Sequence, residues 1–444
     1  MATPDLAPPA SGETDTISRS RRRAWGMTTL LAALYVINYA DKAVLGIIAQ
    51  PLAKELGLNA SQIGLVGSLF FLTFTIGGFF AGALNRWLTL RWALLLIAVI
   101  WGVVMLPLLV VASFAVLLGS RLLLGLAEGP TSALLHTGAY SWHPPAKRGL
   151  PGALISSGGS LAKITIAPLL AYITVTMGWR AALVSLAILG TLWCAVWLTL
   201  WSEGPYLQSD TSHPDTSHPD VAEADDEPTV PWSRIFRTRT FISGALLVMS
   251  VYALVTVVLT WLPSYFEVGL GYTRLQAGSM FAFPSIAGLA IMLSSSAVAD
   301  RLLTRGARSR VVRIIVPAIG VLICGALLFA LPIVATPIVA VLIVSVGYGL
   351  ATSVFPLLNA AISEICPPRQ IAGTLGAFLA VMALGGLIAP YATGVIVDAA
   401  SSPAAGYATA FRAIGLVAAV CAVLALILAN PERDRRLVRG RSTP

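Results

Sequence analysis

The 444-residue chain is 57% hydrophobic and only 11% charged, with a formal net charge of +9. Soluble domains carry about 25% charged residues, so this composition excludes a soluble protein and indicates an integral membrane protein. The four cysteines are widely scattered and form no CxxC pair, and we expect neither a metal nor any other cofactor.

Apolar stretches long enough to cross a bilayer recur along the whole chain. A transmembrane helix needs about 20 predominantly apolar residues. The predicted spans are 25–48, 62–84, 92–112, 114–140, 150–177, 181–202, 241–265, 274–298, 313–333, 337–360, 371–397 and 409–429. The expected fold class is therefore an all-α membrane protein with twelve transmembrane helices in two six-helix bundles.

Polar segments set the predicted domain boundaries. In chain order we expect a disordered cytoplasmic tail, an N-terminal bundle, a cytoplasmic linker, a C-terminal bundle and a second cytoplasmic tail, at 1–24, 25–202, 203–240, 241–429 and 430–444. This six-plus-six layout is typical of transporters whose substrate site lies between the bundles near the membrane midplane.

The linker has two features of its own. It holds a tandem Asp-Thr-Ser-His-Pro repeat at 210–219, which predicts either a plain flexible linker or a weak metal site at His213 and His218. At its end, 231–239 combines aromatic residues with arginines and predicts a short helix lying on the membrane surface.

Positive charge lies mostly on one side of the predicted spans. The basic segments on that side are 19–23, 86–91, 147–148, 234–239, 301–313, 369 and 433–441. Because lysine and arginine accumulate in cytoplasmic loops, both termini should be cytoplasmic and the protein should lie in the cell membrane. The positive charge is thus an orientation signal, and no nucleic-acid partner is expected.

Five charged residues fall inside otherwise apolar spans: Asp41, Lys42, Arg121, Glu128 and Lys163. Each charge at mid-membrane depth costs at least about 2.5–3.5 kcal/mol. Such residues are tolerated when they face one another across a wet cavity. A cavity of this kind in a many-helix protein indicates a transport pathway.

The spacing of these charges suggests which could meet. Arg121 and Glu128 are seven residues apart and should share one face of the fourth span. Glu128 and Lys163 should both lie near mid-membrane and could approach each other, either as part of the pathway or as a static ion pair. Asp41 and Lys42 are adjacent and should point about 100° apart, and Asp41 could instead form a buried pair with Arg121.

Several motifs occur together across the chain. They are Asn38-Tyr39-Ala40-Asp41-Lys42, Arg121-x-x-x-Gly125-x-x-Glu128, Trp142-x-Pro144, Lys147-Arg148-Gly149, Gly178-Trp179-Arg180 and Trp261-Leu262-Pro263. Jointly they resemble the major facilitator superfamily, and within it the anion:cation symporter family of organic-acid and sugar-acid proton symporters.

The resemblance implies proton-coupled uptake of a small organic carboxylate by alternating access, in a protein that is expected to work as a monomer in the lipid bilayer. Asp41 and Glu128 fall on the proton-coupling carboxylates, and Arg121 would tune them. Lys42 occupies the place of the family's carboxylate-binding arginine. Lys163 would hold the anion with it, and three aromatic residues would line the pocket: Tyr39, Phe74 and Tyr252.

A further set of residues resembles the superfamily's cytoplasmic gate. The alternative interpretation is that these are ordinary loop charges in contact with water. These residues are Asn85, Arg86, Arg91, Asp300 and Arg301. Asn85 stands where the family has an aspartate, so the latch in the first half should be weaker.

Other departures bear on the substrate. A lysine at 42 recognises a planar carboxylate more loosely than arginine does. Family members often carry tyrosine at the place of Phe74, and the eleventh span has no asparagine between 374 and 397. A pocket without such partners disfavours a polyhydroxylated ligand, so we expect a hydroxyl-poor or aromatic acid rather than a sugar acid.

Two rival functions remain open at the level of sequence. A drug/proton exporter of the same fold should have a pocket poorer in cations than this one. A membrane-embedded enzyme or sensor would need a reactive cluster, for which His136 and His143 are the candidates, and we expect the chain not to be an enzyme.

Overall fold

The computed structural model describes residues 11–80, 84, 87–143, 149–205, 229–334, 336–367 and 370–439. Every regular element within these ranges is helical, and 11 of the helices are long and apolar enough to cross a membrane. The predicted span at 114–140 is also present, as two shorter helices in series. The all-α fold with twelve spans is therefore confirmed.

Several of the twelve spans are broken into successive helical parts. In chain order the spans comprise Ser11–Leu56; Ala60–Phe79; Leu90–Val104 with Pro107–Val110; Phe114–Glu128 with Thr131–Tyr140; Gly149–Ser156, Gly158–Leu161, Ala162–Ile166 and Ala167–Met177; Trp179–Leu200; Arg239–Ser264 with Tyr265–Gly269; Arg274–Met280 with Ala282–Thr304; Val311–Ile315, Val316–Ala330 and Leu331–Ile333; Pro337–Thr352 with Val354–Ile365; Ile371–Asp398; and Pro403–Leu428. Two short helices, Trp232–Phe236 and Pro431–Arg439, lie outside the spans.

The first helix begins earlier than the sequence predicts. It starts at Ser11, within the segment expected to be a disordered tail, and continues without interruption into the span. The predicted surface helix at 231–239 is present as Trp232–Phe236, whereas the His213 and His218 repeat lies outside the described residues.

Glycines bring the second and fourth spans into backbone contact. A Cβ added at Gly77 would lie 2.1 Å from the carbonyl oxygen of Leu126, and one at Gly129 would lie 2.3 Å from that of Phe74. Only small residues allow helices to approach so closely. The fourth span breaks at Gly129 and Pro130, directly after Glu128, so this packing fixes Glu128 at the end of a helix against the second span.

The two halves of the chain pack tightly at one end of the bundle. We call this end the distal face and the other end, where the first span begins and the twelfth ends, the terminal face. A Cβ added at Gly46 would lie 2.4 Å from the carbonyl oxygen of Leu259, and one at Gly64 would lie 2.3 Å from that of Pro390. These contacts close the distal face.

A carboxylate reinforces that closure. Asp398, the last residue of the eleventh span, accepts hydrogen bonds from the backbone N–H groups of Ala60 and Ser61 at 2.9 and 2.7 Å, and from the Ser61 hydroxyl. Ala60 and Ser61 form the first turn of the second span, where unpaired N–H groups and the helix dipole favour negative charge. Asp398 therefore ties the two halves together across the distal face.

Candidate functional site

The charged residues of the first and fourth spans are brought together inside the protein. Asp41, Arg121 and Glu128 are buried, with exposures of 6%, 1% and 0%. Arg121 donates a hydrogen bond from Nη1 to the backbone carbonyl of Asp41 at 3.0 Å, while its Nε and Nη2 have no hydrogen-bond partner among the described residues. The suggested pair between Arg121 and the Asp41 carboxylate is therefore replaced by a contact through the main chain.

Glu128 has a cationic partner, but not the one suggested by its depth in the membrane. Its Oε2 lies 3.5 Å from Nζ of Lys42, and no ion pair joins it to Lys163 among the described residues. Lys42 also donates a hydrogen bond to Oδ1 of Asn38 at 2.6 Å. Asn38 lies one helical turn before Lys42, so it holds the ammonium group in the direction of Glu128.

Aromatic rings enclose the Lys42 ammonium group. Its Nζ lies 4.4 Å from the ring centre of Tyr39, 4.6 Å from that of Phe74 and 5.9 Å from that of Tyr35. These separations are within the range of cation–π attraction. Tyr39 and Phe74, which the sequence placed in a substrate pocket, thus surround the predicted anion-binding lysine.

Lys163 contacts the opposite half of the protein. It lies in the π-helical segment Ala162–Ile166 of the fifth span and is 5% exposed. Its Nζ donates a hydrogen bond to the hydroxyl of Tyr348, in the tenth span, at 3.2 Å. Within the described parts of the chain, no carboxylate pairs with Lys163. π-Helical turns often occur at functional sites.

Two glycines explain how the fifth span reaches the first. Added Cβ atoms would lie 3.2 Å from the side chain of Tyr35 at Gly158 and 2.8 Å from the ring of Tyr39 at Gly159. The glycine pair therefore lets both tyrosines lie directly against the fifth span. Lys163 follows about one turn later, in a segment that also packs against the first span.

Tyr252 of the seventh span connects the two halves through aromatic contacts. Its ring centre lies 6.0 Å from that of Phe71 in the second span and 6.5 Å from that of Phe355 in the tenth, both edge-on. Asn359 lies one turn after Phe355, and its Oδ1 is buried without a hydrogen-bond partner in the part of the chain that the structure describes. The structure thus places one unpaired amide oxygen on the helix that carries Phe355.

The gate residues are only partly described. Asn85 and Arg86 lie outside the described residues, as does the side chain of Asp300, and Arg301 is exposed in the last turn of its helix. Arg91 donates a hydrogen bond to the carbonyl of Leu198 at 2.6 Å, within the first half of the chain. In this conformation Arg91 therefore holds the sixth span within the first half, rather than joining the two halves.

The sequence does not predict the roles of three residues that make polar contacts in the structure. Tyr348 sits mid-span between two glycines, and Asp398 is a lone acid at a span end. Glu364 accepts a hydrogen bond from Ser309 at 2.7 Å and pairs with Arg313. Tyr348 and Asp398 interrupt apolar stretches, which was the available signal, whereas Glu364 follows Ser363 near the end of its span.

The histidines considered for an enzymatic role have local contacts. His143 lies 2.9 Å from the Thr28 hydroxyl through Nε2, and its ring packs edge-on against Trp25 at 5.1 Å. Burial lowers the pKa of His143 below its ordinary value. His136 lies 2.7 Å from the backbone carbonyl of Ser132 through Nδ1.

Comparison with known proteins identifies the family of this chain. The model of the Major Facilitator Superfamily matches residues 31–353 and 315–443. The hexuronate transporter of Bacillus subtilis is 25% identical over 366 residues, which cover 82% of this chain and 85% of that protein. A probable sulfoacetate transporter of Cupriavidus necator is 26% identical over 304 residues, which cover 66% of this chain and 68% of that protein.

Solved structures agree on the fold. A bacterial homolog of the human lysosomal transporter Spinster, inward-facing and unoccupied, superposes with a TM-score of 0.74 at 18% identity and covers 95% of this chain and 99% of that chain. The family model extends over most of the sequence and includes the spans that hold the buried charges. The chain therefore belongs to the major facilitator superfamily and is a multi-pass membrane transporter, not an enzyme.

Proposed function

We propose that the protein carries a small organic anion together with protons by alternating access. The observation that supports this most strongly is the contrast between two buried cations. Lys42 has the carboxylate of Glu128 at 3.5 Å, whereas Lys163 contacts the neutral hydroxyl of Tyr348. A buried charge without an opposite charge is costly, so a bound anion would stabilise Lys163. Uptake of labelled acids into vesicles with an imposed proton gradient tests this function.

Coupling follows from competition for Lys42. While Glu128 is ionised, it neutralises Lys42 and leaves little attraction for a second anion. A proton on Glu128 removes that negative charge, and the lysine is then free to attract the substrate carboxylate. Anion binding and protonation of Glu128 would therefore favour each other, as linkage requires. Asp41 is the second proposed proton carrier, with Arg121 held against its backbone.

We assign the terminal face to the cytoplasm, because the basic segments between the spans lie on that side. With this orientation, the closed distal face separates the site from the outside, and we propose that this conformation belongs to the cytoplasm-facing part of the cycle. We propose that one chain in the cell membrane completes the cycle alone.

The contact of Asp398 gives a prediction about this cycle. Asp398→Ala removes an acceptor from the first turn of the second span, and charge at such a position is worth up to about 2 kcal/mol. A change of 1–2 kcal/mol shifts an equilibrium by about 5- to 30-fold, so the outward-open state should become more populated. The measurement is labelling of Ile63→Cys, which replaces a buried residue near Asp398, by an impermeant maleimide added outside.

Glu55→Gln is the matched control for that experiment. Glu55 is an acid of the distal face, but it pairs with Arg180 within the first half of the chain. Labelling should therefore stay at the level of the unmodified background in this control. Equal labelling of Ile63→Cys with and without Asp398→Ala would show that Asp398 does not hold the distal face closed.

We also propose that the substrate is poor in hydroxyl groups. The eleventh span contributes no asparagine at 374–397. Aromatic contacts join Phe71 of the first half to Tyr252 of the second, and Tyr252 to Phe355. Asn359 is the amide that could pair with a ligand hydroxyl there. Each hydroxyl left unpaired on binding would cost about 1–3 kcal/mol.

The names of two relatives cover both a hydroxyl-rich and a hydroxyl-poor anion. One is a hexuronate transporter and the other a probable sulfoacetate transporter. We expect benzoate, propionate and sulfoacetate to stabilise the purified protein at lower concentration than gluconate or glucuronate. Thermal-shift titrations of both series on one preparation measure this. If gluconate acts at the lowest concentration, the proposed substrate class is wrong, although transport of an organic anion would stand.

A further inference from the structure

A cavity lies on the terminal face, away from the buried charges. It has a volume of about 690 Å³ and is formed by the short helix Trp232–Phe236, the start of the seventh span and the helix Pro431–Arg439. The residues that line it are Ser233, Arg234, Arg237, Thr238, Arg239, Arg433, Asp434, Leu437 and Val438. Four of them are arginines, and one is an acid.

The acid is already engaged in holding the cavity together. Asp434 is 1% exposed, and it accepts hydrogen bonds from the backbone N–H of Thr240 at 2.8 Å and from Nε of Arg433 at 2.8 Å. These bonds join the last helix to the beginning of the seventh span. The cavity is therefore a built feature of the fold, and its acid compensates one arginine.

The remaining arginines leave an excess of positive charge. Arg234, Arg237 and Arg239 are exposed, and within the described residues they form no hydrogen bond or ion pair through their side chains. Guanidinium groups bind phosphate oxygens in a bidentate manner. Three such groups around one cavity make a site for a phosphate-bearing anion.

Apolar residues at the rim indicate where that phosphate would come from. Trp232 and Leu437 are 45% and 59% exposed, while Ile235 is fully buried beneath the short helix. Exposed tryptophan beside basic residues is typical of the membrane–water interface. A soluble phosphate would leave these apolar surfaces uncovered, whereas the acyl chains of a lipid would cover them.

We propose that this cavity binds the headgroup phosphate of an anionic phospholipid of the inner leaflet. Arg234, Arg237 and Arg239 hold the phosphate, and the acyl chains lie against Trp232 and Leu437. The bound lipid connects the linker helix with the C-terminal helix at the cytoplasmic end of the second half. This site is separate from the transport site, and its test does not depend on the substrate.

The test compares the melting temperature of purified full-length protein in detergent with added phosphatidylglycerol, phosphatidylcholine, or sodium phosphate. The variant Arg234→Gln/Arg237→Gln removes two charges from the cavity and leaves Asp434 in place. The matched control, Arg22→Gln/Arg308→Gln, removes two exposed arginines elsewhere. We expect phosphatidylglycerol to stabilise the wild type and the control, and the cavity variant to need at least about tenfold more lipid for the same effect.

Other results would overturn the proposal. Equal protection of all three proteins by phosphatidylglycerol would mean diffuse attraction to surface charge. Protection by sodium phosphate as strong as that by the lipid would mean a site for a soluble anion. The sequence also has five acids at 220–227. If these acids occupied the arginines, the cavity variant would melt lower while phosphatidylglycerol stabilised none of the proteins.

Discussion

Glu128→Gln is expected to abolish proton-driven accumulation while exchange of substrate across the membrane continues. Glu128 is fully buried, and its carboxylate lies 3.5 Å from Nζ of Lys42. An amide keeps the shape of the side chain but cannot release a proton. The variant resembles a permanently protonated transporter, which binds the anion but gains nothing from the gradient.

The measurement for this variant is uptake into proteoliposomes under two conditions. With an imposed pH gradient, accumulation above equilibrium should vanish. With equal pH and unlabelled acid inside, counterflow should persist at a substantial fraction of the wild-type rate. Glu55→Gln, the same chemical change at an exposed acid, should behave as wild type in both. Accumulation by Glu128→Gln at the wild-type level would exclude Glu128 as a proton carrier.

Lys163→Met is expected to weaken anion binding with little change in melting temperature. Methionine keeps most of the apolar length of lysine and removes its charge. Hydrogen bonds to charged groups are worth about 1.5–3 kcal/mol, so the apparent dissociation constant should rise by about tenfold or more. The apparent dissociation constant is measured by titrating the purified variant with the acid that binds the wild type best. Calorimetry or thermal shift monitors the titration.

The rival explanation is that Lys163 only locks the halves together through Tyr348. Tyr348→Phe separates the two roles, because it deletes the hydrogen bond and leaves the charge. On the proposed role, Tyr348→Phe retains affinity within a few-fold, and Lys163→Met does not. A fall in melting temperature in both variants with unchanged affinity would identify a static lock.

The sequence predicts the spans well because each depends on a property of its own residues. About 20 apolar residues in a row must be helical in lipid, since every backbone group has to be satisfied internally. The same reasoning locates the buried charges, because any charge in such a stretch must face the interior of the bundle. The spans and the buried charges can therefore be predicted without knowing which helices pack against one another.

Pairing within the site could not be derived in this way. Depth along the membrane made Lys163 and Glu128 equally central, but the rotation of each helix decides which side chains meet. Asn38 directs Lys42 toward Glu128, while Lys163 lies in a π-helical turn that changes the direction of its side chain relative to an α-helix. Contacts between distant segments, such as Asp398 with Ala60, have no local pattern at all.

In the proposed cycle, an organic anion and a proton move together through this protein. The most direct measurement is the internal pH of proteoliposomes, read from a trapped fluorescent dye after the best-binding acid is added outside at equal starting pH. With the membrane potential clamped, wild-type protein should acidify the lumen as the acid enters, and Glu128→Gln should not. Entry of the acid into wild-type vesicles without any change of internal pH would contradict proton-coupled transport.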